Sequence, residues 1–333
     1  MGCVVLPSAP GGLGDSFLLQ EWHNNKVLYK EQYTTVYSIT HPKHGYHAAL
    51  KVYEKNEISN KRFKYIETEI KIHRRLTGEN GIVPLWLYYE DNKYYGLLMK
   101  YMNQGTLTPF MYKYHHEECA LQEIIYPLLK QLASIHQKNI IHRDLKPDNI
   151  FVHHRNIYLG DFGYSYLVEE HGANSIIGTI QYMAPELLHC YLDKKQHIEY
   201  KYEVDVWSFG IIVYELLFHR KPFGWGGYKN VCLENPTHPE FIQRCLNAPL
   251  LFPHYITPEA KDFLLQMLEK DPQKRATSTQ LLEHPWITNY LNNKKQDEVC
   301  PIQLDWTRLT KNQIHSTKNH YRKSKSKTNC TIS

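Results

Sequence analysis

"IIHRDLKPDNIFV", residues 140–152, is the stretch on which the reading of this chain turns. A hydroxyl that is to accept a phosphoryl group needs a carboxylate nearby to orient it and take its proton. A lysine two residues on can neutralise charge on the group in transfer, and an amide three further can ligate a metal. Asp144, Lys146 and Asn149 bring these three groups together in one loop. Seventeen residues after Asp144 stands "DFG", whose Asp161 is placed to bridge Mg2+ to phosphates. Upstream, "HAALK" ends at Lys51, fifteen residues beyond Val36 of "VLYKEQYTTVY". One such match is weak; the three in this order are specific.

Working outward, 333 residues suffice for two lobes with substantial cores, and 42% hydrophobic residues with 13% aromatics describe a globular chain. The formal charge of +5 is unevenly spread. No acidic residue follows Asp305, whereas Arg308, Lys311, Lys318, Arg322, Lys323, Lys325 and Lys327 do; without these seven the body carries about −2. The core is therefore not expected to bind nucleic acid. Seven cysteines form no CxxC and no Cys/His cluster, and "MGCVVLPSAPGGLG" lacks the basic start and apolar stretch of a secretory signal. Reduced thiols in the cytosol are expected. The longest apolar run, "IIVYELLF" at 211–218, is too short to span a bilayer, and the twenty histidines read as solvent-facing, without ligand spacing.

Residues 1–21 read as a flexible leader rich in Pro and Gly. Strand patterns run from Lys26 to Tyr53 with a turn at "HPKHGY". "KRFKYIETEIKIHRRL" repeats apolar residues at helical spacing, and "GIVPLWLYYEDNKYYGLLMKYM" reads as two strands joined at Asp91–Asn92. Helical patterns dominate from about Leu121, broken by strand and loop segments at 141–163; Pro127 inside the first long helix is expected to kink it. Periodicity fades beyond "EHPWI", so 291–333 reads as a disordered basic tail. A β-rich lobe over 22–102 and a helical lobe over 103–290 are the outcome.

With "AALK", "HRDLKPDN", "DFG", "GTIQYMAPE" (178–186), "DVWSFG" (205–210) and "DPQKRAT" (271–277), the chain resembles the eukaryotic protein kinase family, serine/threonine type, from about Trp22 to Ile287. The resemblance implies the bilobal α+β protein kinase fold, MgATP as phosphate donor and a protein substrate. Lys146 and Thr179 carry the serine/threonine assignment. By position, Asp144 and Lys146 are implied as catalytic, Asn149 and Asp161 as metal ligands, and Lys51 as the phosphate-binding lysine paired with Glu69, Glu67 being the alternative. Leu28, Val36 and Ala49 would cover the base and Phe151 lie beneath it. Met99 is the gatekeeper, with Lys100 and Met102 offering hinge backbone groups. His142 and Phe162 would stack in the buried spine, where His73 replaces a leucine-like residue. Glu186 is expected to pair with Arg275, and Asp205 to anchor the catalytic loop. Asp148 and Glu215 lie where kinases of basic substrates often carry acids, but Thr106 replaces a third, so no consensus follows.

The family hairpin carries three glycines, and Leu28–Val36 keeps none of them. Glycine lets backbone N–H groups approach phosphate without a Cβ in the way, and Glu31 adds a negative charge there. The loss is expected to cost one to a few kcal/mol of nucleotide affinity or lid closure, roughly ten- to a hundredfold. Because Lys51, Asp144, Lys146, Asn149 and Asp161 all remain, an active kinase is the preferred reading. A membrane-anchored pseudokinase serving as scaffold is the alternative.

Arg143 precedes Asp144, and in similar kinases such an arginine receives an activation-loop phosphate; Ser175 is the matching candidate, while Tyr166 replaces a second basic residue. The last four residues, "CTIS", fit a prenylation box at Cys330, and "YRKSKSKTN" upstream supplies basic charge. Together they lead to an expected tether at the cytoplasmic face of an anionic membrane. A solvated tail or nuclear-import patch is the alternative. "MGC" offers Gly2 and Cys3 for acylation, but Leu6 stands where Ser or Thr is usual.

Overall fold

The structure is a computed structural model that describes residues 2–7, 9–10, 22–113, 117–169, 175–193, 199–224 and 239–294. Six strands form one antiparallel sheet: β1 (Gly2–Val5), β2 (His23–Lys30), β3 (Thr34–Thr40), β4 (His47–Glu54), β5 (Leu85–Glu90) and β6 (Tyr94–Lys100). Their order across the sheet is β1-β5-β6-β4-β3-β2. Between β4 and β5 the chain forms helix α1 (Asn60–Arg75), which starts where Ser59 accepts a hydrogen bond from the Arg62 amide.

Strand register decides which side chains reach the cleft. Successive residues point to opposite faces. Lys51 lies opposite Val36 on β3 and Leu97 on β6, and Ala49 lies opposite Met99. Val36, Ala49, Lys51, Leu97 and Met99 therefore share one face. Ala48, Leu50 and Leu98 share the other, where they pack with Trp22, Trp86 and Leu87.

The second lobe begins with a helical run made of α2 (Glu117–Ala120), a π-helical turn (Leu121–Ile125) and α3 (Tyr126–Gln137). Pro127 has no amide to give, and the wider turn that precedes it absorbs the missing bond. Three short pieces, β7 (Ile140–Ile141), β8 (Ile150–His153) and β9 (Asn156–Leu159), carry the loops of the site; β10 (Tyr166–Leu167) pairs with β7. Then follow α4 (Pro185–Leu192), α5 (Glu203–Phe218), α6 (Pro239–Asn247), α7 (Pro258–Met267), α8 (Ser278–Leu282) and α9 (Pro285–Lys294). Helix α5 is apolar nearly all round and is buried accordingly, from Val204 to Leu216 without a break. The bilobal α+β architecture is as expected.

Two expectations need correction. The histidines, read as solvent-facing, include five that are buried, His41, His73, His136, His142 and His284, each close to an aromatic ring or a hydrogen-bond partner in the packed interior. Gly2–Val5 falls in the stretch read as a flexible leader, yet it extends the sheet along the free edge of β5, Gly2 opposite Glu90 and Val5 opposite Leu87. An exposed strand edge offers unpaired amides and carbonyls to any segment that reaches it. Leu6 follows with its amide on Trp86 O at 2.8 Å, and its side chain is buried among Tyr53, Ile66, Leu85 and Leu97. The basic tail and Cys330 lie outside the described residues. Leu6→Ala is expected to weaken strand docking by about 2 kcal/mol. Hydrogen exchange should then speed up at Val4–Leu6 while the central strand β6 stays protected.

Candidate active site

The Lys51 ammonium is the meeting point of three elements. Lys51 Nζ donates to Glu69 Oε1 of α1 at 2.7 Å and to Asp161 Oδ1 at 2.8 Å. The Tyr53 hydroxyl donates to the other oxygen of Glu69. Burial works against the ammonium, but Asp161 and then Glu69 hold its pKa well above the ordinary lysine value. Burial likewise opposes charge on Asp161, and the Lys51 ammonium overcomes it, bringing that carboxyl down to about 2. Glu69, not Glu67, is thus the helix carboxylate on Lys51. A Cβ at Gly163 would stand 3.3 Å from both Asp161 Oδ1 and Lys51 Nζ, so the glycine keeps this cluster uncrowded.

The second cluster is the loop at 142–149. Asp144 accepts from Lys146 Nζ at 2.6 Å through Oδ2 and from Thr179 Oγ1 at 2.7 Å through Oδ1. Lys146 Nζ also reaches Thr179 Oγ1 at 2.9 Å. Burial disfavours the Lys146 ammonium, but Asp144 outweighs it and raises the pKa. Asn149 donates its amide to the Asp144 carbonyl at 2.8 Å and to Asp144 Oδ2 at 3.1 Å. Its Oδ1, the end that can ligate a cation, remains. Gly178, with φ +121°, brings the segment before Thr179 against the loop, where a Cβ would meet Arg143 O at 2.5 Å.

Asp205 of α5 holds the loop from below. It accepts from the His142 amide at 2.7 Å, the Arg143 amide at 2.8 Å and His136 Nε2 at 3.0 Å. Despite complete burial, these donors, His136 foremost, lower its pKa. Glu186 and Arg275 form a buried two-pronged pair at 2.8 and 2.9 Å. Phe162 packs between His142, 5.4 Å away centroid to centroid, and His73, 5.1 Å away.

The hairpin closes without glycine. Glu31 donates its amide to Thr34 O at 2.8 Å across Gln32–Tyr33, and no residue of the tip has a positive φ. Tyr33 is clamped instead: the Arg62 guanidinium of α1 stands 4.9 Å over its ring. Glu31 takes the Tyr29 hydroxyl. Tyr29 lies opposite Val36, and Leu28, expected above the base, is left unpaired by a bulge between Val27 and Tyr29. Phe151, on β8, packs at the backbone of Gly160. At the hinge, the Lys100 amide is committed to Pro84 O at 2.9 Å, and Met102 O accepts from Gly105 at 3.1 Å.

Arg143 lies where expected but is already engaged. Its Nε donates to Tyr164 O at 2.5 Å, its Nη1 to the Tyr200 hydroxyl at 3.4 Å, and its guanidinium stands 5.0 Å over the Tyr166 ring. Tyr200 in turn donates to Ser175 O at 2.6 Å. Sequence reasoning missed Tyr53, Tyr200 and Arg62 as partners of the site. Their spacing from Glu69, Ser175 and Tyr33 carries no local signal; only the fold brings them there.

His73 yields a pH prediction. Its Nε2 donates to Val83 O at 2.7 Å while its buried Nδ1 has no partner, and burial lowers its pKa to about 4. The unfolded ring takes a proton near the ordinary 6.5 and the folded one does not, so this contribution to stability is whole above 6.5 and shrinks as pH falls toward 4. From pH 7.5 to 5.0 it amounts to about 2 kcal/mol. His73→Leu should therefore lose about 2 kcal/mol less than the parent over that interval, read by denaturant melts at the two pH values.

The sequence profile of the family described as "Protein kinase domain" matches residues 22–287. The chain is 32% identical over 273 residues to an Aurora kinase of Eremothecium gossypii, covering 81% of this chain and 70% of that one. It is 30% identical over 289 residues to an Aurora kinase of Schizosaccharomyces pombe, covering 86% and 76%. A "Probable serine/threonine-protein kinase PLK" of Dictyostelium discoideum is 33% identical over 281 residues, which are 83% of this chain and 27% of that one. With a β-sheet lobe over a helical lobe and the Lys51 and Asp144 clusters between them, this chain belongs to the protein kinase family and is a protein serine/threonine kinase.

Proposed function

We propose that Lys51, Asp144, Lys146, Asn149 and Asp161 transfer the ATP γ-phosphate to serine or threonine hydroxyls of a protein. The observation that carries this is the assembled Lys51–Glu69–Asp161 cluster beside an Asp144 carboxylate whose two oxygens are both oriented by donors. Kinases of this family use ATP and Mg2+.

Among the described residues no group of three or more His, Cys, Asp or Glu could hold a metal by itself. Mg2+ does not need one, because it keeps waters and phosphate oxygens and takes one or two protein carboxylates. A carboxylate ionised down to about 2 on Asp161 and the remaining amide oxygen of Asn149 fit that demand. Bound there, the ion would screen the negative charge of the phosphates. Lys51, held by Glu69, carries the fixed positive charge for the donor side. Asp144 orients the acceptor hydroxyl and takes its proton, and Lys146 supports the group in transfer. Val36 and Ala49 cover the base with Leu28 at the rim, Phe151 lies beneath it, and Met99 sits at the back. With the Lys100 amide and Met102 carbonyl already engaged, the Lys100 carbonyl and Met102 amide read the edge of the base.

An active enzyme with an unusual lid is supported over a scaffold by the buried Lys51 ammonium, which keeps both of its carboxylates. Arg143 Nη2 is buried without a partner, and a phosphate on Ser175 would give it one. Cys330 with its basic approach remains the proposed prenyl tether to an anionic membrane.

Asp144→Asn should lower kcat by roughly 10²–10⁴-fold with labelled MgATP and a generic acceptor protein. Equal labelling by parent and variant would favour the scaffold, and mass spectrometry of the same reactions reads whether Ser175 carries phosphate. Cys330→Ser should move the protein from membrane to supernatant on fractionation; unchanged partition would refute the tether.

A further inference from the structure

Beside the cleft, Glu215 near the end of α5 is buried and draws its partners from its own chain. Tyr112 donates to Oε1 at 3.0 Å, Tyr182 donates to Oε2 at 3.2 Å, and Lys221 Nζ stands 3.8 Å from Oε2. Lys221 is held in turn by Gln181 Oε1 at 2.6 Å and lies 4.1 Å from the centroid of the Tyr182 ring. The backbone brings it there. Helix α5 ends at Phe218, His219 takes a left-handed conformation with φ 54°, and the chain doubles back over the helix end. Burial lowers the Lys221 pKa, opposed by the nearby Glu215 and Asp148 carboxylates. Asp148 belongs to the loop of Asp144 and accepts from Thr108 Oγ1 at 3.0 Å.

This corner borders the acceptor side of the site. Tyr182 lines the same narrow crevice as Arg143, Asp144, Gly178 and Thr179. Two carboxylates at the lip of a cleft attract a cationic side chain from an incoming polypeptide. Here a cation is already in place, its side chain 12% exposed, and fixed by an amide oxygen, a carboxylate and an aromatic face. A second positive charge brought to the corner would meet the first across low-dielectric surroundings.

We propose that Lys221 is a specificity-determining residue: it occupies the acidic corner of Glu215 and Asp148 with the chain's own charge, so the enzyme selects acceptor segments that are uncharged at that subsite. The assignment rests on the protein-substrate reading above and names the class of segment it takes. Tyr112, a residue 55% exposed whose hydroxyl reaches Glu215, forms the outer wall, so the corner lies next to solvent and opens to it once Lys221 is shortened or neutralised.

The test is a positional-scanning peptide library phosphorylated by the full chain with MgATP, for the parent, Lys221→Met and Lys221→Gln. The readout is the ratio of kcat/KM between peptides with Arg and with Ala at each position, which cancels any loss common to both. The parent should show less than about a twofold ratio at every position on the N-terminal side of the acceptor. Each variant should develop a ratio of about tenfold or more at one of them, and adding Glu215→Gln should abolish it. A parent that already selects arginine about tenfold and loses that with Glu215→Gln overturns the proposal. So do variants that phosphorylate neutral peptides and gain no preference for arginine. If neither variant folds by thermal melt, the parent profile with and without Glu215→Gln still decides. A parent that labels no peptide at all, and no generic acceptor protein, sinks the kinase assignment of these residues instead.

Discussion

An ammonium group taken out of water must be repaid in carboxylates, and Lys51 needs two of them from opposite sides of the cleft. Glu69 comes from α1 and Asp161 from the loop after β9, so satisfying one buried charge ties the sheet, the helix and the second lobe together. Breaking such a pair by removing one partner costs far more than the pair's net contribution, because the charge left behind stays desolvated. The Tyr53 hydroxyl on Glu69 and the open face of Gly163 make sense as supports of that arrangement. The rest of the site is arranged around where this ammonium has to be.

On the other side of the cleft the supporting group is Asp205. Arg143 and Asp161 both hold positive φ, at 68° and 60°, conformations that cost a non-glycine residue of order 1–3 kcal/mol each. The loop keeps the first of these because its amide and its neighbour's are both bound by one buried carboxylate. Asp161 keeps its own through Lys51. Backbone strain thus sits in the two loops assigned to the chemistry, balanced at Arg143 by Asp205 of helix α5, which is buried along nearly its whole length, and at Asp161 by Lys51. The Glu186–Arg275 pair fastens the end of the segment that carries Thr179.

Much of this was legible in the chain because the chemistry is local. Asp144, Lys146 and Asn149 lie within six residues, and a loop that short has few ways to place them. Glu69 was legible only through the likeness of "EIKIHRRL" to the family helix, with Glu67 left as the alternative, and Val36 and Ala49 through their places in the family pattern; the face they share with Lys51 comes from strand register. What escaped reading depends on distant pairing. Gly2–Val5 has no alternating pattern, and its place is set by the free edge of β5 some eighty residues on. Tyr200 reaches Ser175 only through the fold. The missing glycines drew attention to what the hairpin had lost; its substitute, an arginine on another element, has no signature in the hairpin itself.

That substitute has a mechanical side. Arg62, which grips the tip of the hairpin through Tyr33, and Glu69, which grips Lys51, stand two turns apart on the same rigid rod. The hairpin tip and the carboxylate on Lys51 therefore lean on a single support, α1, so the placing of that one helix bears both on the roof of the cleft and on the charge beneath it.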